Sequence, residues 1–176
     1  MHRKKILFHS ASALGLIAFF IGLFLACGGG GGKTEGEVKG KVGETIKTDD
    51  FEIKVTKVFT RRTIGSYFTK EKAAPGAVFV VVRYWYKNIS KEPISSFSFP
   101  DVKLVSPDGV SYDNAVSAAS SYKVEAKIDT RIASDLNPGI RQSDAEVFEV
   151  ASSQWNGGKG WKLIIDADKD VEVTIK

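Results

Sequence analysis

Three acidic residues at alternate positions form the most suggestive chemical pattern in the sequence. Asp166, Asp168 and Asp170 lie in the stretch DADKD near the C-terminus. Carboxylates at this spacing open the calcium loop of an EF-hand, but such a loop also needs glycine at its sixth position and glutamate at its twelfth. Val171 is at the sixth position, and the given sequence stops at Lys176, before the twelfth. We therefore interpret DADKD as a polar turn and predict neither a metal site nor any other cofactor.

Two pairs of carboxylates could support glycoside hydrolysis without a histidine. Asp49 and Asp50 are adjacent in front of a predicted strand, and Glu146 and Glu149 lie within another. Side chains three positions apart on a strand point to opposite faces, so the two glutamates are not expected to meet. The sequence therefore predicts a protein that is not an enzyme, with a carboxylate-based hydrolase as the remote alternative.

Histidine and cysteine are too rare for most nucleophilic or metal-dependent chemistry. The two histidines, His2 and His9, precede the single cysteine, Cys27. A chain cut at Cys27 would carry no histidine general base, no zinc site of cysteine and histidine, and no disulfide. A catalytic role for Cys27 itself is disfavoured, because the five glycines after it offer neither a base nor a folded pocket.

Aromatic residues provide the candidate binding surfaces. Trp155 and Trp161 flank the glycine-rich stretch NGGKG, and a tryptophan beside such a loop is typical of an exposed anchor for a partner. Tyr84, Trp85 and Tyr86 are consecutive on a predicted strand and could line a sugar- or peptide-binding face. A central strand of a β-sandwich, however, commonly buries a tryptophan. We predict ligand binding at Trp155 and Trp161, and core packing for one face of the tyrosine strand.

The N-terminus has the features of an export signal. A basic cluster at residues 3–5 is followed by an uncharged, mostly apolar run of 16 residues from Ala11 to Ala26. A membrane-spanning helix needs about 20 such residues, whereas a shorter run that ends at a small residue is typical of a secretory signal. The alternative is an uncleaved membrane anchor that begins near Ile6.

The junction between Ala26 and Cys27 resembles the lipobox of bacterial lipoprotein signals. Its departure from the usual pattern is Phe24, because leucine is common three residues before the cysteine. The resemblance implies cleavage between Ala26 and Cys27 and the attachment of diacylglycerol, with fatty acids such as palmitate, to the Cys27 sulfur.

The predicted organisation has three parts. They are a signal peptide at residues 1–26, a lipidated cysteine with a glycine-rich tether at 27–37, and a folded domain at 38–176. The ten residues from Gly28 to Glu37 would span roughly 16–19 Å as a flexible coil. The lipid would hold the exported domain at the cell membrane or the outer membrane, with the cell surface as a further alternative.

The charge of the chain gives little support for nucleic acid binding. The full chain has 25 basic and 21 acidic residues. Three of the basic residues precede Cys27, so the mature protein would have 22 basic and 21 acidic residues, a net charge of +1. A nucleic-acid-binding domain needs a concentrated basic face, and the sequence has only small basic clusters. We predict no nucleic acid partner.

Apolar residues recur with a period of two, which predicts strands. The stretch FEIKVTKV alternates and changes phase at Val58–Phe59, and AVFVVVRYWYKN is apolar on both faces and should lie centrally in a sheet. DVKLVSPDGVSYD has the turn residues of a hairpin, and AEVFEV, WKLIID and VEVTIK are three further strands. Between them we predict a short helix at 115–120 and a strand near 124–132. Many short strands without a strong helical stretch predict an all-β antiparallel fold, either a sandwich or a barrel.

Four stretches together resemble a known bacterial family. They are VGETIKTDDFEIKVTKV, GAVFVVVRYWYKNISKEP, DVKLVSPDGVSYD and LNPGIRQSDAEVFEV, within Val42 to Ile175. The family is the telokin-like, immunoglobulin-like lipoprotein domain, a domain of unknown function, and a small secreted mycobacterial antigen is a more distant resemblance. The resemblance implies a sandwich of about seven strands, commonly behind a lipid anchor, and no catalytic residues.

Two classes of function follow. The first is a membrane-anchored envelope protein that presents a non-catalytic, immunoglobulin-like domain to a protein or glycan partner. The alternative is a structural or accessory subunit of an envelope complex. Contacts are expected at the connections Arg61–Pro75 and Ser152–Gly160, because loops on a rigid sheet commonly carry binding residues.

Overall fold

The structure is a computed structural model that describes residues 36–129 and 134–176. The predicted signal peptide, Cys27 and most of the tether lie outside the described residues. The described chain forms one α-helix, α1 (Val116–Glu125), and a 3₁₀ helix at Ser96–Ser98. Its eleven strands are β1 (Val38–Lys41), β2 (Ile46–Lys47), β3 (Phe51–Arg61), β4 (Thr63–Ile64), β5 (Glu71–Lys72), β6 (Ala77–Asn88), β7 (Asp101–Val105), β8 (Ser111–Tyr112), β9 (Arg141–Ala151), β10 (Lys162–Asp166) and β11 (Asp170–Thr174).

Two sheets form a sandwich, which confirms the predicted all-β fold. One has the strand order β1-β11-β10-β7-β8, the other has the order β2-β3-β6-β9, and β4 and β5 form a separate small pair. Seven of the eleven strands are four residues or longer, in agreement with the number of about seven that the family resemblance implies. The pairing of β1 with β11 is parallel, and the other pairings between the described strands are antiparallel.

Strands β3 and β6 pair over nearly their whole length, with one irregularity. The register shifts between Val55 and Lys57, so Thr56 is an extra residue on β3. The Thr56 hydroxyl donates a hydrogen bond to the Arg83 carbonyl oxygen at 3.0 Å. The change of phase predicted at Val58–Phe59 is therefore a β-bulge that lies slightly earlier in the strand.

Strand β6 separates two hydrophobic cores. Val80 and Val82 point inward and pack in the larger core between the two sheets. Phe79 and Val81 point outward and pack in a second core. This double burial explains why the strand is apolar on both faces, and its position between β3 and β9 confirms the predicted central placement.

Helix α1 covers the outer core. Its buried residues Ala118, Ala119 and Tyr122 pack in one cluster with Val81 of β6 and Val147 of β9. The predicted helix at 115–120 is therefore confirmed, because this alanine-rich segment can lie close against the sheet.

The strand predicted near 124–132 is wrong where the structure describes the segment. Helix α1 continues to Glu125, and residues 126–129 form a turn and coil. The short alternation of Val124 with its neighbours does not decide the conformation, because Tyr122 and Ser121 are buried in the preceding helical turn. Over the described ranges, no helix is both long and apolar enough to cross a membrane.

Three neighbouring residues of β6 test the two-core arrangement. We expect Val81→Ala and Val82→Ala each to lower the free energy of unfolding by about 2 kcal/mol, because each removes buried methyl groups from a different core. Arg83→Ala, at an exposed position on the same strand, should change it by less than about 0.5 kcal/mol. Chemical denaturation measures all three. Tolerance of Val81→Ala would show that the outer face of β6 is not a core.

Candidate functional site

A cleft of about 510 Å³ opens beside the larger core. The inner faces of β6 and β9 form one side of it, and the start of β7, helix α1 and the connection before β7 contribute the rest. Its lining is mixed aromatic and charged: Tyr84, Tyr86, Ser96, Phe99, Pro100, Asp101, Ser120, Lys123, Val124, Ile128, Gln142, Asp144 and Glu146. Ligand sites typically have this size and this mixture of apolar and convergent polar groups.

Two tyrosines on β6 line the cleft. The alternation of the strand turns both side chains inward, and Tyr84 and Tyr86 are each 3% exposed. Their ring centroids are 6.1 Å apart, and the Phe99 ring lies 5.4 Å from that of Tyr86. Burial, and then the charges of Asp144 and Glu146, raise the pKa of both phenols. The tyrosines therefore stay neutral, and the small exposed part of each lies on the wall of the cleft.

Two carboxylates and one ammonium group face these tyrosines. Asp144 and Glu146 alternate on β9 and share its inner face, and in the β6 pairing they lie opposite Tyr84 and Val82. Lys123 of α1 bridges them, with its Nζ 2.8 Å from Asp144 Oδ1 and 3.2 Å from Glu146 Oε1. Because β9 is the last strand of its sheet, a lysine from the helix outside can reach round this edge.

The Glu146 carboxyl, among the described residues, has a strongly raised pKa. It is 8% exposed, and its Oε2 has no hydrogen-bond partner in the described part of the chain. Burial is the largest cause that raises its pKa to about 7, and the charges of Asp144 and Asp101 add to the effect. Lys123 acts in the opposite direction. The carboxyl can therefore gain or lose its proton near neutral pH.

Gln142 ties one end of the cleft to the segment after α1. Its Nε2 donates to the carbonyl oxygens of Asp129 and Ser143, and the side chain is largely buried. This contact holds the chain after the helix against β9. The polar side of the cleft is thus built from three alternate residues of one strand, because Gln142 lies two positions before Asp144.

The tryptophans predicted to bind a ligand lie elsewhere. Trp161 is 1% exposed and packs in the larger core. Its prediction as an exposed anchor is therefore wrong, because its ring is enclosed between Trp155 at 5.2 Å and Tyr112 at 5.4 Å. Trp155 is half-buried and covers Trp161. A binding role for Trp155 stays a prediction.

The acidic stretch near the C-terminus is a structural turn. The Asp168 carboxylate accepts hydrogen bonds from the Thr48 hydroxyl at 2.5 Å and from the backbone N–H groups of Asp49 at 2.8 Å and Asp50 at 3.2 Å. Lys169 pairs with the Asp49 carboxylate at 2.7 Å. Within residues 36–129 and 134–176, no group of three or more acidic, histidine or cysteine side chains could hold a metal ion.

The other pair of carboxylates is separated, as the sequence predicts. Glu146 faces the cleft, whereas Glu149 lies on the opposite face and accepts a hydrogen bond from the Ala74 N–H at 2.6 Å. Sequence reasoning missed the neighbour that does share a face with Glu146, namely Asp144. The available signal was that Gln142, Asp144 and Glu146 alternate on a strand whose other positions are largely apolar.

The part of the chain that contains the sandwich and its cleft matches a known family model. The family is described as a domain of unknown function, DUF4352, and its model matches residues 40–166. The chain belongs to this family. The matched range includes the tyrosines and carboxylates of the cleft, and the description of the family names no enzymatic activity.

This chain is similar to several proteins from Bacillus species, at different levels of sequence identity. YxkC of Bacillus subtilis, described as uncharacterized, is 44% identical over 142 residues, which are 80% of this chain and 78% of YxkC. A conserved hypothetical protein from Bacillus anthracis has a crystal structure with 29% identity and a TM-score of 0.66, covering 75% of this chain and 93% of that chain. The ycdA protein of Bacillus subtilis, described provisionally as a lipoprotein, has 15% identity and a TM-score of 0.50, covering 75% and 38%. This last likeness shows the fold alone.

The titration of Glu146 tests the electrostatics of the cleft. We expect carbon-13 NMR of its side-chain carboxyl to give a midpoint at about pH 7 instead of the ordinary 4.5. Since the pKa is higher in the folded state, the contribution of this group to stability is present below pH 4.5 and is lost as pH rises through about 7. Glu146→Gln should therefore gain roughly 3 kcal/mol of stability relative to wild type over that interval. A midpoint near pH 4.5 would contradict this assignment.

Proposed function

We propose that this chain is a lipid-anchored envelope protein whose β-sandwich is a non-catalytic ligand-binding module, with the ligand in the cleft of Tyr84, Tyr86, Asp144 and Glu146. The observation that carries the proposal is the Glu146 carboxylate, which lines the cleft, is largely buried, and has an Oε2 without a partner among the described residues. A ligand that occupies the cleft can supply that partner.

The energetic cost of this arrangement supports a binding role. More than about 90% of buried polar atoms in proteins are hydrogen-bonded, and a buried group without a partner costs about 1–3 kcal/mol. Replacing Glu146 by an apolar residue would remove that cost but also the acceptor. The unpartnered Glu146 oxygen beside two tyrosines therefore supports a site at which a ligand would supply the missing hydrogen bond.

The position of the carboxylates supports binding over hydrolysis. Glycoside hydrolases use two carboxylates that flank the scissile bond from opposite sides, about 5–9.5 Å apart. Asp144 and Glu146 instead lie side by side on one strand and hold the same Lys123 ammonium group. They can attract one group of a ligand together, but they do not enclose a bond between them.

The lipid anchor in this proposal has support from the N-terminal sequence. The apolar run to Ala26, the single Cys27 and the glycines after it have the order of a lipoprotein signal and tether. The provisional description of ycdA as a lipoprotein agrees with this interpretation. A tether would let the domain stand clear of the lipid headgroups, with its cleft open to the surrounding envelope space.

An exposed aromatic pair favours a second candidate function, that of an accessory subunit. Tyr67 and Phe68 are 89% and 91% exposed and pack edge to face, with ring centroids 5.1 Å apart. They lie in the connection Arg61–Pro75, which the sequence predicts to make contacts. Exposed aromatic side chains are enriched at protein interfaces, so this pair suits contact with another envelope protein.

The anchor is tested by removing its thiol. We expect wild-type protein to be labelled by a palmitate analogue and to be found in the membrane fraction. Cys27→Ser should abolish the labelling and either release the protein or leave it as uncut precursor, because the sulfur that carries the lipid is gone. Equal labelling of the two proteins would contradict the lipid attachment.

The cleft is tested with small fragments of different charge. We expect ligand-observed NMR on the full-length protein in detergent to detect fragments that bind wild type. The same fragments should not bind Ser120→Trp, because a tryptophan at this position of α1 would fill the cleft. Ser111→Trp, at an exposed position on β8, is the matched control and should leave binding unchanged. Fragments that still bind Ser120→Trp would contradict ligand binding in the cleft. Fragments that bind at Tyr67 and Phe68 would favour the accessory-subunit candidate.

A further inference from the structure

We propose that the ligand of the cleft is an organic cation, with its ammonium or guanidinium group beside Asp144 and Glu146 and its hydrocarbon part on the rings of Tyr84 and Tyr86. This inference rests on the proposed function, because it names the chemical class of the ligand for the same cleft. Three features of the cleft support an organic cation: the charge of the lining, the position of Lys123, and the aromatic rings.

The lining carries more negative than positive charge. Asp101, Asp144 and Glu146 contribute carboxylates, and Lys123 contributes the only ammonium group of the residues that line the cleft. Charges in a partly buried cleft interact more strongly than charges in water, because the protein screens them less. An anionic ligand would meet this excess of carboxylates, whereas a cation would offset it.

Lys123 shows that an ammonium group fits between the two carboxylates. Its Nζ contacts one oxygen of each, Asp144 Oδ1 at 2.8 Å and Glu146 Oε1 at 3.2 Å. The second oxygen of Glu146, Oε2, has no partner among the described residues. A second cationic group can therefore contact Oε2 of the same carboxylate whose Oε1 binds the Lys123 ammonium group.

The aromatic lining favours a cation that carries hydrocarbon. Tyr84 and Tyr86 are buried on the inner face of β6, and Phe99 stands 5.4 Å from the Tyr86 ring. The face of an aromatic ring attracts a cation within about 6 Å of its centroid, and desolvation strengthens the attraction. A bare metal ion gains less from these rings, and the described residues provide no group of three ligands for one.

The protonation of Glu146 predicts how binding depends on pH. The groups that face it are Lys123 of α1, Asp144 of β9, Asp101 of β7 and the tyrosines of β6. With a pKa of about 7 in the unliganded protein, this carboxyl is mostly protonated at pH 6 and mostly ionised at pH 8. Because a cation prefers the ionised form, its binding releases a proton and should tighten as pH rises.

The test compares cations with neutral molecules of similar shape. The probes are tetramethylammonium and butylammonium, with tert-butanol and 1-pentanol as neutral counterparts, titrated by ligand-observed NMR into the full-length protein in detergent. We expect both cations to bind and to compete with each other, and the alcohols to bind at least about tenfold more weakly. Tetramethylammonium keeps its charge at every pH, so its affinity should rise about tenfold between pH 6 and pH 8 because of Glu146 alone.

Variants of β9 distinguish the site from a general attraction of cations. Glu146→Gln should weaken tetramethylammonium binding about tenfold and remove its pH dependence. Glu149→Gln is the matched control, because it lies on the same strand but on the opposite face and keeps an acceptor for the Ala74 N–H. If Glu146→Gln fails to fold, Asp144→Asn should weaken binding in the same direction.

The outcomes distinguish a failure of the organic-cation proposal from a failure of the cleft as a ligand site. Alcohols that bind the cleft as tightly as the cations, cation affinity that is equal in wild type and Glu146→Gln, or displacement of tetramethylammonium by Ca²⁺ at lower concentration would overturn the organic cation. In the first case the cleft remains a ligand site. If every cation, alcohol and fragment that binds wild type also binds Ser120→Trp, the cleft is not the ligand site and both proposals fail.

Discussion

Strand β6 is hydrogen-bonded along both edges and buried on both faces, and the rest of the domain depends on this position. β3 and β9 satisfy its backbone on either side, which a buried strand requires because unpaired N–H and C=O groups are costly. Its inward residues pack against the five-stranded sheet, and its outward residues pack against α1 and the small β4–β5 pair. Near its end the apolar inward residues give way to Tyr84 and Tyr86, and there the sandwich core becomes the wall of a cleft.

The cleft exists because polar residues interrupt the inner face of β9 at its first half. Phe148 and Val150 continue the core, whereas Gln142, Asp144 and Glu146 need polar partners that a close-packed core would not supply. Lys123 supplies one partner for each carboxylate, and it can do so only because α1 packs beside the edge strand. Burial still outweighs the lysine in setting the protonation of Glu146, so its carboxyl is poised near neutrality. An apolar side chain at this position would avoid the cost of burying a carboxyl oxygen that has no hydrogen-bond partner among the described residues.

The residues that looked most reactive in the sequence serve the fold instead. The Asp168 carboxylate accepts hydrogen bonds from two backbone N–H groups and one hydroxyl group of the turn before β3. These hydrogen bonds connect the two sheets at one end of the sandwich. Trp161 fills the core, and Trp155 covers it, so the glycine loop between them is held by aromatic packing. Gly158 lies so close to Trp155 and Ile175 that a β-carbon there would contact both side chains. Asp168 and Trp161 therefore have structural roles, whereas a binding role for Trp155 stays a prediction.

The order of residues by itself determined the longer strands β3, β6, β7, β9, β10 and β11, the central place of β6, the Asp-Gly hairpin and the short helix. These features depend on alternation and turn chemistry within a few neighbouring residues. It also determined that Glu146 and Glu149 face apart, since that follows from the period of a strand. Only the tertiary structure decided that Trp161 is core while Tyr84 and Tyr86 reach a cleft, because burial depends on which sheet covers a face. The approach of Lys123 to Asp144 and Glu146 joins residues about twenty positions apart through the packing of a helix on an edge strand, and no local pattern encodes that contact. The pKa of Glu146 has the same origin: the surrounding elements set its burial and the charges that face it, whereas the sequence supplies only the carboxyl.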